Sequence, residues 1–159
     1  MAVDMFLKID GIDGESVDIK YQKWVEALSF SWGIADAVKS GQPGKAPVAR
    51  KTQVSDFSIV KYLDSASPKL FEMCCEGARI SELNFSLVRA GEKQSEFYTI
   101  KLSDVLISSV SPGGAAGGVP MESVSFTFAS SLISAVDARG QKTSVSSCGA
   151  ASFDATDRR

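Results

Sequence analysis

The sequence contains no histidine. That absence removes Ser-His-Asp and Cys-His pairs, zinc sites built on imidazole, and the one side chain that titrates near neutrality without perturbation. Most hydrolase chemistries go with it. Cysteine is sparse as well: Cys74 and Cys75 are adjacent, and Cys148 stands far away. Three thiols without paired spacing suit a reducing compartment better than a disulfide framework, and Cys74 and Cys75 read as small apolar residues on a helix. Basic excess is missing too. Against 19 Asp and Glu there are 17 Lys and Arg, a net charge of −2 that argues against a general nucleic-acid binder. No apolar run approaches the ~20 residues of a membrane span, so no membrane insertion is expected. The opening stretch is interrupted by Asp4 and Lys8 and lacks a basic start followed by a long apolar core, so no Sec-type signal peptide is expected.

What is present is enough for one domain. A chain of 159 residues can hide about two-thirds of its surface, so a core needs no metal or disulfide staple. Its dominant pattern is alternation. Leu28, Phe30, Trp32 and Ile34 occupy even positions, with Ala27, Ser29, Ser31, Gly33 and Ala35 between them. Strands send alternate side chains to opposite faces, so this predicts one bulky apolar face and one small, largely polar face. Val124, Phe126 and Phe128 alternate with Ser123, Ser125 and Thr127 in the same way; Tyr98, Ile100 and Leu102 alternate with Phe97, Thr99 and Lys101. Past Asp104 the rhythm breaks through Val105, Leu106 and Ile107, as a bulge or bend would produce. Leu83, Phe85 and Leu87 give a fourth strand, and residues 5–9 and 54–62 two more. One helix of about three turns is expected from Ser67, with Ser67 capping its free amides, Pro68 in the first turn and Gly77 as the stop. Its apolar side reads as Leu70, Phe71, Cys74 and Cys75.

Three segments look irregular. Residues 38–52 are Gly/Pro-rich and carry Lys39, Lys45, Arg50 and Lys51 without an acid. The residues leave two readings open, a solvated hairpin tip or a partner-contacting arm. The Gly-rich stretch 112–120 lacks the Gly-Lys-Ser/Thr ending of a phosphate cradle and reads as a connection between strands. The tail 141–159, rich in Ser, Ala and Asp, reads as partly disordered. The acids of Asp10-Gly-Ile-Asp-Gly-Glu15 lack EF-hand spacing and read as turn residues rather than a calcium loop. The cluster Lys20, Tyr21, Lys23 and Trp24 is too small for a nucleic-acid face. No Gly-x-Ser-x-Gly occurs, and although composition leaves a Ser–Lys enzyme open, no motif points to one. No catalytic residue, cofactor site or metal site is assigned. In a closed β-barrel the inner face would be Leu28, Phe30, Trp32, Val124, Phe126 and Phe128, bulky enough to fill it. A filled barrel favours a structural or assembly role over carriage of a small molecule.

Several stretches, in order, resemble one family. Met1-Ala-Val-Asp-Met-Phe-Leu-Lys-Ile-Asp-Gly-Ile-Asp-Gly-Glu-Ser16, Leu28-Ser-Phe-Ser-Trp-Gly33, Lys61-Tyr-Leu-Asp-Ser-Ala-Ser-Pro-Lys-Leu70, Ile100-Lys-Leu-Ser-Asp-Val-Leu-Ile-Ser-Ser-Val110 and Glu122-Ser-Val-Ser-Phe126 are similar to the haemolysin-coregulated protein (Hcp) family. These are the inner-tube subunits of bacterial type VI secretion systems. The resemblance spans roughly residues 1–140, which is then a single barrel domain with the 141–159 tail outside it. It implies a mainly β fold: a closed β-barrel of two antiparallel sheets with one short flanking α-helix. It also implies a homo-hexameric ring, stacking of rings into a hollow tube, and release of that tube. The implied partners are a contractile sheath, a spike and effector proteins carried in the lumen; the implied location is cytoplasmic during assembly and secreted afterwards. Ser29 and Ser31 are then the lumen-facing candidates, and Lys39, Lys45, Arg50 and Lys51 the inter-subunit loop. The alternatives are a monomeric β-barrel binding module and a specialised paralogue that carries effectors without tube assembly. The chain departs from the pattern at Tyr21, where many members carry His, and at Ala129–Val136, which has no aromatic.

Overall fold

A computed structural model describes residues 2–39, 44, 48–91, 94–137 and 139–148, with the backbone alone for 35–39, 48–53, 147 and 148. The strands are β1 (Val3–Ile9), β2 (Val25–Ala27), β3 (Ser29–Ser31), β4 (Ile34–Lys39), β5 (Val48–Val54) and β6 (Phe57–Tyr62). Helix α1 (Ser67–Glu76) follows, then β7 (Arg79–Arg89), β8 (Ser95–Gly113), β9 (Met121–Val136) and β10 (Lys142–Cys148). An eight-stranded sheet runs in the order β2-β1-β7-β8-β9-β6-β3, with β10 also on β9, and every pairing is antiparallel. Its two ends, β2 and β3, are consecutive in the chain with only Leu28 between them, and Leu28 N–H donates to the Val60 carbonyl at 2.7 Å. The sheet therefore curls into a nearly closed barrel, which protects the edges an open sheet would leave unpaired. Two antiparallel sheets are present among the described residues: the barrel is one continuous sheet, and the β4–β5 ribbon is the other.

The junction at Leu28 corrects the sequence reading. Val25 is buried and Ala27 packs on the core, whereas beyond the junction Phe30 and Trp32 are the residues that turn inward. The inward set moves from odd to even positions, and Leu28 is left 41% exposed instead of facing the interior. A one-residue slip inverts the faces of a strand. Ile34, expected on the apolar face, is 65% exposed. The inward phase also changes twice in β8, once at a backbone kink that leaves the register intact and once at a register shift. Asp104 adopts φ 54°, a left-handed conformation that Asp tolerates, and the register with β9 shifts between Ile107 and Ser109. Inward positions thus run Ile100, Leu102, then Val105, Ile107, then Val110, which is why the alternation fades past Asp104.

The interior is filled. Phe57, fully buried, meets Phe85 at 5.2 Å, Trp32 at 6.2 Å, Phe30 at 6.3 Å and Phe126 at 6.4 Å between ring centroids. Leu7, Ile59, Leu83, Ile100 and Val124 close the space around them. Burial on this scale supplies roughly 1.5–3 kcal/mol for each large apolar side chain. A smaller apolar cluster lies outside β1, where Phe6 stacks on Tyr21 at 4.5 Å and Trp24 meets Tyr21 edge-on at 4.9 Å. Tyr21 therefore belongs to a packed nucleus that holds the β1–β2 connection against the barrel. Gly14 makes that connection work: a Cβ there would stand 2.4 Å from the Trp24 carbonyl oxygen.

Helix α1 packs against β8 and ends as expected at Gly77, φ 62°, with the Ala78 N–H returning to the Met73 carbonyl. Its beginning differs. Ala66 is the N-cap, with no side-chain cap, and Ser67 is already helical. The buried stripe is Ala66, Leu70, Met73 and Cys74; Phe71 is 54% exposed and Cys75 is also exposed. The stretch 38–52 is less irregular than expected, since Val38, Lys39 and residues 48, 49, 51 and 52 are paired strand. The boundary expected at residue 140 is crossed by the sheet: β10 runs along β9 from Lys142↔Val136 to Cys148↔Ser130. The rest of the tail lies outside the described residues.

Candidate functional site

Three features outside the apolar core carry the functional argument, and each follows from register. The first is a serine surface. β3 pairs with β6, β6 with β9, and β9 with β8, so Ser31, Ser58, Ser125 and Ser109 fall in one cross-strand row. The next row holds Ser29, Val60, Ser123 and Ser111. Their neighbours along each strand, Ile59, Val124 and Phe126, are buried, so both rows lie on the outer face of the barrel. Ser29, Ser31, Ser109 and Ser111 are exposed, and the Ser58 and Ser125 hydroxyls are 2.8 Å apart. The acid beside the rows, Asp56, is occupied: Ser108 Oγ donates to it at 2.7 Å and Thr127 Oγ1 at 3.1 Å. The result is a patch of small neutral hydroxyls. Ser29 and Ser31 lie on the exposed face of β3, the small polar face that the alternation predicts. Ser58, Ser109 and Ser111 were missed, because strand order is not written in any one strand and the β8 slip hides their alternation.

The second feature is the β4–β5 ribbon. Lys39 pairs with Val48 and Lys51 with Ala37, while Arg50 is the extra residue at the register shift between Ala37 and Val38. The two strands bring Lys39, Arg50 and Lys51 onto one arm; Lys45 lies outside the described residues. A ribbon of two strands is marginal in water by itself, and this one is not hydrogen-bonded into the barrel sheet. Its root is fixed by Ser55, whose N–H and hydroxyl both meet Gly33 backbone atoms at 2.8–3.0 Å.

The third feature was not anticipated. Lys61 and Glu122 are direct partners in the β6–β9 ladder and occupy inward positions at the end of the barrel interior. The Lys61 ammonium is fully buried, 2.5 Å from Glu122 and 2.8 Å from Asp64, and donates to the Tyr62 carbonyl at 2.9 Å. Ser67 Oγ donates to Glu122 at 2.7 Å and accepts the Asp64 N–H at 3.0 Å. This is why Ser67 is not free to cap its helix. The knot joins two of the sequence stretches that carry the family resemblance, Lys61–Leu70 and Glu122–Phe126, and ties β6, β9 and α1 at one point. It satisfies charges that burial would otherwise penalise heavily. Nothing in it resembles a reaction centre: the Lys61–Glu122 pair is buried and its members are internally paired. Among the described residues no group of His, Cys, Asp and Glu is arranged to hold a metal ion. Asp10 and Glu15 are engaged with Ser81 Oγ and the Ser65 N–H.

Comparison with known proteins agrees with this architecture. Residues 6–134 match the family model described as "Type VI secretion system effector, Hcp". The chain belongs to the Hcp family. The Hcp1 protein of Pseudomonas aeruginosa is 36% identical over 131 residues, covering 81% of this chain and 80% of that protein. Hcp1 from Salmonella typhimurium superposes with a TM-score of 0.77 at 31% identity, over 93% of this chain and 95% of its own. A type VI secretion system effector from Yersinia pestis gives 0.78 at 32% identity, over 91% and 99%. Hcp proteins are secreted components of the type VI secretion system and not an enzyme family. No helix among the described residues is long and apolar enough to cross a membrane. β10, at Lys142–Cys148, lies beyond the matched region.

Proposed function

We propose that this Hcp protein is a structural tube subunit of a bacterial type VI secretion system, without catalytic activity. Its copies form hexameric rings, and the rings stack into a hollow tube that is expelled by a contractile sheath beneath a spike. Assembly takes place in the cytoplasm, and the tube is then released. The serine rows through Ser29 and Ser31 line the lumen, where effectors are held and shielded. The observation that carries this reading is the pairing of a filled barrel with a small, uncharged outer face. A filled interior leaves no room for cargo inside the subunit, so cargo must contact its outside. Short hydroxyls both donate and accept hydrogen bonds without fixed charge, which suits contact with varied polypeptide surfaces. The ribbon carrying Lys39, Lys45, Arg50 and Lys51 supplies an arm toward a neighbouring subunit. A ring built this way is heterologous, each subunit presenting one patch to a different patch on the next.

Electron microscopy of the purified protein should show rings with a central opening. Ser31→Gln adds bulk to the serine row and should reduce co-purification of secreted cargo while rings persist. Unchanged retention would remove the serine rows from the lumen, and a stable monomer would favour the binding-module alternative.

A further inference from the structure

We propose that the Asp10–Gly11 step, in the turn after β1, converts spontaneously to an isoaspartyl linkage that reroutes the main chain at the edge of the core. The chain has two Asp–Gly steps, Asp10–Gly11 and Asp13–Gly14. Such steps favour this reaction because glycine has no side chain to shield its nitrogen or restrict its rotation. The fold treats the two differently.

Asp10 and Gly11 are both exposed, and Gly11, at φ 83°, has nothing within 4 Å of where a Cβ would stand. The turn is held at its ends. The Ile12 N–H donates to the Ile9 carbonyl at 3.1 Å, and the Asp10 N–H to the Glu82 carbonyl at 3.2 Å. Among the described residues, neither the Asp10 carbonyl nor the Gly11 N–H has a hydrogen-bond partner. Their shared peptide can therefore rotate until the Gly11 nitrogen faces the Asp10 carboxyl. Ser81 Oγ donates to that carboxyl and draws electron density from the carbon to be attacked. Asp10 and Ser81 also line an open hollow of about 210 Å³, which admits water. At the other step the Gly14 N–H donates to the Lys23 carbonyl at 2.6 Å, and a Cβ would stand 2.4 Å from the Trp24 carbonyl oxygen. That peptide cannot turn without breaking its bond and its packing.

The reaction balances without oxidant or cofactor. The Gly11 nitrogen bonds to Asp10 Cγ and loses its proton, and one carboxyl oxygen leaves as water, closing a succinimide ring. Water then opens the ring at either carbonyl. Opening at Cγ restores aspartate; opening at the main-chain carbonyl leaves Gly11 joined through Cγ, with one extra carbon in the backbone. Ile9 and Ile12, 2% and 5% exposed, flank the turn and bridge to each other, so the added carbon displaces buried side chains.

The test ages the folded, full-length protein in mildly acidic buffer. Isoaspartate is measured by methyl transfer from S-adenosylmethionine with an isoaspartyl methyltransferase, and located by electron-transfer fragmentation of peptides. It should accumulate at position 10 and not at 13, whereas the chain aged in guanidinium chloride should accumulate it at both. Asp10→Glu, which would need a larger ring, should lose the signal from the folded protein. The isoaspartyl fraction should unfold at a lower urea concentration than fresh protein. Folded protein that reacts equally at 10 and 13, or at neither, would overturn the proposal. An isoaspartyl fraction with an unchanged midpoint would overturn the displacement of Ile9 and Ile12.

Discussion

Replacing Lys61 by Met removes an ammonium from a site where the side chain is fully buried, and leaves Glu122, 1% exposed, without its counter-charge. Ser67 Oγ still donates to Glu122, but one hydroxyl does not neutralise a carboxylate enclosed at the end of an apolar barrel. Breaking one half of a buried ion pair costs about 3–5 kcal/mol. In a domain of this size that lowers the melting temperature by about 6–20 °C. Asp64 is 13% exposed and can turn toward water, so the loss is dominated by Glu122. The double variant Lys61→Met/Glu122→Leu removes both charges and should recover most of the stability, because apolar replacement of a buried pair is often neutral. Lys69→Ala, which breaks the exposed pair with Glu72 at 3.7 Å, serves as the control and should cost under about 0.5 kcal/mol. Urea unfolding by circular dichroism, on protein kept dissociated so that assembly does not add to stability, gives all three values. A Lys61→Met loss below about 1 kcal/mol would refute the reasoning, as would a double variant no more stable than the single one.

Other outcomes follow from single contacts. Phe57→Ala empties the centre of the aromatic interior and should cost about 3–5 kcal/mol by the same urea assay. Gly14→Ala forces the β1–β2 connection away from the Trp24 carbonyl and should cost about 1–3 kcal/mol; a neutral result would show that the close approach is easily relaxed. Burial, and then the Glu96 carboxylate that accepts the Tyr21 hydroxyl at 2.8 Å, raise the Tyr21 phenol above its ordinary value of 10.0. Because the folded value is the higher one, its contribution is complete below about pH 10 and is lost as pH rises beyond that. Tyr21→Phe should therefore flatten the alkaline end of the stability curve. Asp18 shows the opposite case. The Gln94 amide is the main cause holding its carboxyl below the usual 3.8, so its contribution is present at neutral pH and declines in acid as pH falls below that value.

The alternation of Val124, Phe126 and Phe128 with Ser123, Ser125 and Thr127 was legible in the sequence because β9 keeps a single phase there and period two needs no tertiary information. Leu28 was misplaced because a register slip changes no residue type: the sequence alternates straight through a point where the backbone does not. Phe71 and Cys75 were placed on the buried side of α1 by apolarity alone, whereas the helix turns Leu70, Met73 and Cys74 to the sheet. Ser67 fits a cap by every local rule, yet Glu122, distant in sequence, claims its hydroxyl. The Lys61–Glu122 knot was invisible for the same reason, since a lysine and a glutamate in separate strands read as surface charges until the strands are paired. β10 was hidden by composition: its Ser and Thr residues look like a tail, and it is held by the β9 ladder with a Ser134–Ser144 hydroxyl contact at 2.9 Å. The polar face of Ser29 and Ser31 was legible in one strand, but the rows that extend it across the barrel exist only in the pairing.

The account stands or falls on assembly, and the measurement closest to it is the mass of the purified protein by light scattering behind gel filtration. A tube subunit elutes with six times the 16.9 kDa mass of the chain. A peak that holds 16.9 kDa at every concentration would contradict it.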